Sequence, residues 1–278
     1  MDSIKVIKIG GNIVDSPELA DRFAKDFASL QGPRILVHGG GVMASRMQEA
    51  LGQKPVMIEG RRVTDEDTLK TVTMVYAGWC SKKMTALLQK YGCDAIGLCG
   101  ADAGIIRATK RPPVPVKDAC GNPVIENGVP VTVDYGFAGD VRPQDIRTGF
   151  LLGAVGGGMT PVICAITHDG NGNLLNTNAD TIASSVASAL AAAGVSVSLV
   201  YCFEKDGVLY DRNDDSSVIP EITPESYACL KKEGRVAAGM IPKLDNSFSA
   251  IAAGVKEVII KNSLDLHGDS GTRLTAGK

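Results

Sequence analysis

Short apolar runs that stop at glycine recur along the chain. Residues 4–9 halt at Gly10-Gly11, and residues 35–38 halt at Gly39-Gly40-Gly41. Residues 95–99 run into Gly100, 161–167 into Asp169-Gly170, 196–203 into Asp206-Gly207, and 258–260 into Lys261-Asn262. Several runs are nearly unbroken in Val, Ile and Leu, as expected of parallel strands covered on both faces. Between them the apolar period lengthens. Leu19, Phe23, Phe27 and Leu30 mark a helix over 17–30, and further helices are expected over 44–51, 65–91, 179–193 and 243–253. The stretch 65–91 is long enough for two helices or one bent one. The alanine- and serine-rich helix over 179–193 ends at Gly194, a suitable C′ residue.

Strand alternating with helix predicts an α/β fold: an open, mostly parallel, doubly wound sheet with helices on both faces. Residues 114–142 break the alternation. They are rich in Pro, Gly and alternating Val, as in Cys120-Gly121-Asn122-Pro123, and read as β-hairpins. There is no internal repeat or linker. Two lobes are expected, residues 1–192 and 193–278, with the boundary near 190–195. Ligands of such sheets sit beyond the carboxyl ends of the strands, which is where this chain places its glycines.

Composition narrows the function classes. A chain of 278 residues, 44% of them hydrophobic, can bury a core without disulfide or metal staples. A net charge of −2 gives no basic footprint and argues against a nucleic-acid partner. The cysteines (Cys80, Cys93, Cys99, Cys120, Cys164, Cys202, Cys229) are scattered and never form C-x-x-C, and His38, His168 and His267 have no cysteine at zinc-ligand spacing. No resident metal is expected, and the thiols fit a reducing compartment. The start shows no secretory signal, and no apolar run is long enough to cross a membrane. The reading is a cytoplasmic protein without a membrane partner.

The candidate chemistry lies at the glycines. Strands that end in Gly10-Gly11 and in Gly39-Gly40-Gly41 expose backbone N–H groups that can cradle phosphate, or the glycines merely turn the chain. The G-x-x-x-x-G-K-[ST] loop is absent, and no G-x-G-x-x-G follows the first strand. Lys8 stands inside an apolar strand, so its ammonium either snorkels to the surface or faces an anion. Lys243, in Gly239-Met240-Ile241-Pro242-Lys243, opens a helix, where a cation is disfavoured unless a polyphosphate binds there. Asn176-Thr177-Asn178-Ala179-Asp180 precedes a helix, either as ordinary capping or with Asp180 as a carboxylate that holds lysines in position. Arg61-Arg62-Val63-Thr64 offers surface charge or a guanidinium fork for a carboxylate.

Taken in order, Ile7-Lys8-Ile9-Gly10-Gly11, His38-Gly39-Gly40-Gly41, Arg62-Val63-Thr64, Asn176-Thr177-Asn178-Ala179-Asp180, Gly239-Met240-Ile241-Pro242-Lys243 and Gly271-Thr272-Arg273 resemble the N-acetyl-L-glutamate kinase family, within the amino-acid-kinase fold. The resemblance runs from about residue 4 to residue 274. It implies transfer of the ATP γ-phosphoryl group to the side-chain carboxylate of N-acetyl-L-glutamate, a step of arginine biosynthesis. Lys8 and Lys243 would neutralise the group in flight, with Asp180 orienting both. Gly10, Gly11, Gly40 and Gly41 would donate N–H groups to the phosphates and the incoming carboxylate, and Arg62 and Asn176 would grip the α-carboxylate. The second lobe would hold adenine and ribose, and Mg²⁺ would ride mainly on the ATP phosphates. A carboxylate of pKa about 4.3 is already ionised at neutral pH, so no general base is needed. His38 is expected to be structural.

The chain departs from the family pattern in three places. Ala77-Gly78 leads to Ser81-Lys82 where relatives carry Asn-Lys. The nucleotide-side strand ends Phe203-Glu204-Lys205-Asp206-Gly207 instead of hydroxyl-Asp-Val-x-Gly, which leaves the adenine contacts unassigned. The first strand begins at Ile4, without the extra N-terminal helix of arginine-inhibited hexamers, so a homodimer insensitive to arginine is expected. Alternatives are the same reaction on N-succinyl-L-glutamate, with Arg61, Arg107 or Lys110 as the extra cation, a carbamate or free amino-acid kinase of this fold, and a ligand sensor without turnover.

Overall fold

The computed structural model describes residues 3–116, 122–211, 213–236 and 240–277. The main sheet has eight strands: β1 (Ile4–Ile9), β2 (Arg34–His38), β3 (Ala95–Leu98), β4 (Thr160–Cys164), β5 (Val197–Phe203), β6 (Glu221–Ile222), β7 (Glu257–Asn262) and β8 (Thr272–Leu274). Their order is β6-β8-β7-β5-β1-β2-β4-β3, and all neighbours are parallel except β7 with β8. β1 therefore lies inside the sheet, between β5 and β2, and the sheet is continuous across the expected lobe boundary.

Nine α-helices join these strands among the described residues: α1 (Gly11–Asp15), α2 (Pro17–Ser29), α3 (Gly41–Ala50), α4 (Glu66–Thr73), α5 (Ser81–Lys90), α6 (Thr148–Gly156), α7 (Ala179–Ala192), α8 (Pro224–Lys232) and α9 (Ile241–Ala252). α7 packs against β1, β2 and β5 and touches α9, and α5 lies on β3, β4 and α2. Pleating sends alternate residues of β1 to opposite faces. Lys8 thereby faces α7, while Ile7 points to the other side of the sheet, where it lines a cavity together with Leu30 at the end of α2.

The doubly wound α/β fold expected from the pattern is present, with local differences. The apolar run 161–167 is two strands: β4 ends at Cys164, and Ile166–His168 joins a second sheet with Leu174–Thr177, Ala138–Asp140 and Thr109–Lys110. Cys164, Ala165 and Ile166 are all buried, so apolarity persists through the change of sheet. α3 begins at Gly41, inside the glycine triplet and not at residue 44. The stretch 65–91 is one bent rod: α4, a π-helical segment Met74–Cys80, then α5. α6 has no clear apolar period, being apolar all round with interspersed glycine, and the alternation missed it. The apolar period does not mark α8 either; its start is set by a capping box between Thr223 and Ser226 in its first turn.

The expected hairpins appear as short pairs, Val114–Pro115 with Thr132–Val133 and Ile125–Glu126 with Val129–Pro130. Asn127 and Gly128 turn the second pair with φ of 50° and 78°. Cys120, Gly121 and Gly239 lie outside the described residues. The six described cysteines are free. No helix among the described residues is long and apolar enough to cross a membrane.

Candidate active site

The carboxyl ends of β1 and β2 release the chain into helices through glycine, and the two loops abut. A Cβ built on Gly11 would lie 3.7 Å from the Gly41 nitrogen. Side chains would fill this junction. At Gly40 a Cβ would stand 2.9 Å from a Tyr76 ring carbon and 3.0 Å from the Cys80 sulfur, both on the π-helical segment.

Three charged side chains converge beside the loops. Lys8 comes from β1, Asp180 from the first turn of α7 and Lys243 from the first turn of α9. Lys8 Nζ lies 2.7 Å from Asp180 Oδ1, and Lys243 Nζ lies 3.6 Å from Asp180 Oδ2. Asn178 caps α7, its Oδ1 accepting from the Asp180 and Thr181 nitrogens at 2.8 and 3.2 Å, which fixes where Asp180 points. Burial alone would raise the Asp180 pKa, but the Lys8 and Lys243 ammonium groups outweigh it and hold the carboxylate ionised. Burial pushes Lys243 down to about 8; Asp180 opposes this and Lys8 adds to it.

Arg62 is buried and takes only neutral partners. Its Nη1 donates to Gln48 Oε1, and its Nη2 donates to the Gly41 carbonyl and to Ser45 Oγ, both at 2.8 Å. Its Nε is buried with no hydrogen-bond partner among the described residues. A guanidinium so placed is oriented but not neutralised, which suits a carboxylate ligand. Asn176 Nδ2 donates to Thr64 Oγ1 at 3.0 Å, and Thr64 Oγ1 donates to the Arg62 carbonyl at 2.9 Å. Arg62, Thr64 and Asn176 are thus one connected unit. Gln48 and Ser45, which hold the guanidinium, went unread because polar residues on α3 look like an ordinary solvated face.

Two cavities meet at Gly11. The smaller, about 210 Å³, is lined by Lys8, Gly40, Gly41, Arg61, Arg62, Tyr76, Asn176 and Asp180. The larger, about 470 Å³, is lined by Gly10, Phe203 to Lys205, Gly207 to Leu209, Arg235, Met240 and Lys243, with a mostly apolar wall. Lys8 opens onto the first and Lys243 onto the second, with Asp180 between. Every site residue expected from the sequence therefore borders one of the two. Of the six motifs that carry the resemblance, only Gly239 has no described position.

The remaining candidates separate. Arg61 lines the small cavity, whereas Arg107 and Lys110 line another, where Arg107 Nε donates to the Asp169 carbonyl at 3.0 Å. Thr272 serves the fold under the large cavity: its Oγ1 accepts from the Val208 nitrogen at 2.8 Å and donates to the Ile219 carbonyl at 2.7 Å. His38 is fully buried, its Nδ1 2.8 Å from the Gly39 carbonyl, and burial pushes its pKa down to about 4, so it is a neutral structural ring. No cluster of three or more His, Cys, Asp or Glu side chains that could hold a metal occurs among the described residues.

Comparison with known proteins bears on the family and the fold. The sequence profile of the amino acid kinase family matches residues 3–262. The acetylglutamate kinase of Cytophaga hutchinsonii is 50% identical over 260 residues, spanning 94% of this chain and 91% of that one. The acetylglutamate kinase of Phocaeicola vulgatus is 48% identical over 271 residues, spanning 98% of each chain. Among solved structures, the smu.665 protein of Streptococcus mutans superposes with a TM-score of 0.73 at 25% identity, over the full length of both chains. The chain belongs to the amino acid kinase family and, within it, to the acetylglutamate kinases.

Proposed function

We propose that the small cavity holds N-acetyl-L-glutamate, the large one holds ATP, and the γ-phosphoryl group crosses at Gly11 between Lys8 and Lys243. The observation that carries this reading is the meeting of the two cavities at a carboxylate flanked by two lysines. A side-chain carboxylate oxygen attacks the γ-phosphorus, the bond to the β–γ bridging oxygen breaks, and ADP leaves with the electron pair. The product is an acyl phosphate, and no proton moves. The barrier is the approach of two anions, and catalysis consists of charge cancellation and in-line positioning.

Lys8 and Lys243 supply positive charge along the path, and Asp180 keeps both aimed. Glycine N–H groups at residues 10, 11, 40 and 41 meet the phosphates and the incoming carboxylate. Arg62 and Asn176 take the α-carboxylate. Residues 1–192 form the acceptor lobe and 193–278 the ATP lobe. Mg²⁺ would ride on the ATP phosphates, since Asp180 is already committed to two lysines. Free buried thiols and a step of arginine biosynthesis fit the cytoplasm. The exposed Met74 and Trp79 on the π-helical segment support a homodimer; a monomer or hexamer in sedimentation would count against it.

One observation favours a second acceptor. The Arg61 side chain lines the small cavity with no ion pair or hydrogen bond to a described residue, while its neighbour Arg111 is paired with Asp140 at 2.7 Å. Burial, and then the adjacent Arg111, lower the Arg61 pKa, while Asp140, Tyr135 and Glu59 pull the other way. Acetylglutamate has two carboxylates, for Lys8 and Arg62, and leaves Arg61 unmatched; N-succinyl-L-glutamate has a third. Trapping the acyl phosphate with hydroxylamine, with N-acetylglutamate, N-succinylglutamate, free glutamate and carbamate side by side, decides the acceptor. Turnover of an acylated glutamate, lost in Lys8→Ala, is expected. Turnover of only free glutamate or carbamate refutes the acceptor assignment, and Arg61→Ala should impair a succinylated substrate selectively.

A further inference from the structure

Lys243 lines the large cavity in surroundings that oppose its charge. It lies in the first turn of a helix, it is largely buried, and Lys8 shares its only close carboxylate among the described residues. That carboxylate is nearer to Lys8, at 2.7 Å against 3.6 Å. The closest favourable contact of Lys243 is aromatic. Its Nζ lies 3.5 Å from the Phe203 ring centroid and 5.8 Å from that of Tyr201. The two rings are parallel to within 2°, with centroids 6.4 Å apart. Tyr201 is fully buried, and its hydroxyl donates to the Asp180 carbonyl at 3.2 Å. The end of β5 is thus fastened to the start of α7 and presents a ring face to the ammonium.

We propose that Phe203 is a positioning residue: its ring face holds the Lys243 ammonium charged and directed at the phosphoryl path until the phosphates of ATP take over. The negative face of an aromatic ring attracts a cation most where water is excluded. A ring can do this between turnovers without competing with the nucleotide, because it carries no net charge to repel phosphate. A second carboxylate in the same place would repel it. The inference rests on the assignment of Lys243 to the phosphoryl group. The other charges around this ammonium are Asp180 on α7 and Lys8 on β1, and Glu204, Lys205 and Arg235 line the same cavity.

The test is the pH dependence of kcat/KM for ATP between about pH 6 and 10 in the wild type, Phe203→Leu and Phe203→Tyr, since this parameter reports groups of the free enzyme. The wild type should lose activity above about pH 8 as Lys243 deprotonates. In Phe203→Leu that limb should move about one pH unit lower, and Phe203→Tyr, which keeps the ring, should restore it. A wall that only packs against adenine would raise KM for ATP without moving the limb. An unmoved limb in Phe203→Leu, or equal displacement in the leucine and tyrosine variants, overturns the proposal. Titration of ¹³Cε-labelled lysine by NMR, with Lys243 assigned by difference from Lys243→Met, reads the same shift without turnover. Phe203→Met replaces the leucine variant if that one fails to fold. Full activity in Lys243→Ala would refute the lysine assignment itself, whereas loss of activity there with an unmoved limb in Phe203→Leu refutes only the role of the ring.

Discussion

Replacing Lys243 with methionine should stabilise the folded protein while abolishing turnover. Folding lowers the ammonium pKa from 10.5 to about 8, chiefly by burial. At 1.36 kcal/mol per pH unit, keeping the proton costs the native state about 3 kcal/mol. The sign follows from proton uptake. Between about pH 8 and 10.5 the unfolded chain binds more protons at this site than the native one, so this group makes stability rise with pH there. The penalty is full below pH 8 and gone above 10.5. Methionine keeps an unbranched stem, and Asp180 keeps its partner Lys8 at 2.7 Å. A net gain of about 1–2 kcal/mol at pH 7 is expected, with kcat reduced about a thousandfold or more. Urea denaturation of both proteins at pH 7 and pH 10 checks it. The gap should be clear at pH 7 and close by pH 10. Equal or lower stability of the variant at pH 7, or a gap that ignores pH, refutes the reasoning.

The same site should respond oppositely to loss of its carboxylate. Asp180→Ala leaves two enclosed ammonium groups facing each other and should cost about 3–5 kcal/mol in denaturant titrations, with turnover at background. Arg62→Ala should raise KM for the acylated glutamate about a hundredfold and leave KM for ATP within about twofold, because the guanidinium faces only the small cavity. A parallel rise in both constants would mean that the two cavities are not separate subsites. Gly40→Ala sets a methyl group 2.9 Å from the Tyr76 ring and 3.0 Å from the Cys80 sulfur. It should weaken acceptor binding while the far-ultraviolet circular dichroism stays native, and wild-type kinetics would remove this loop from the acceptor site.

What could be read in the sequence follows from which signals are local. Buried parallel strands announce themselves as unbroken aliphatic runs, and glycine marks where each one ends. Lys8 stood out because a lysine inside such a run needs an explanation. Asp180 and Arg62 were ambiguous: Asn176 to Asp180 could be ordinary capping or could carry a carboxylate that holds lysines, and Arg61-Arg62-Val63-Thr64 could be surface charge or a guanidinium fork. The structure connects these residues, but the resemblance, and not periodicity, named their roles. Local signals failed where the determinant was a neighbour distant in the chain. Gln48 and Ser45 look like solvent-facing helix residues until Arg62 is laid across them. The π-helical segment leaves no mark in composition, yet it sets Tyr76 and Cys80 against Gly40.

The cations make the limit plainest. Arg61, Arg107 and Lys110 were equivalent as candidates for a distant anionic group. Folding turns Arg107 onto a backbone carbonyl and sets Lys110 over the Phe137 ring at 5.2 Å, while Arg61 is left facing the small cavity. Phe203 shows the converse. As a residue name it breaks the hydroxyl pattern at the end of the nucleotide-side strand and leaves the contacts there unassigned. Placed 3.5 Å beneath Lys243, it supplies a different one. A charge that must be kept ready and then surrendered to phosphate is better held by a polarisable ring than by a fixed counter-charge. A carboxylate strong enough to hold the lysine would also hold it back from ATP. The weaker hold on Lys243, at 3.6 Å from Asp180 against 2.7 Å for Lys8, therefore fits the lysine that faces the nucleotide side, and the tighter one fits the lysine on the acceptor side.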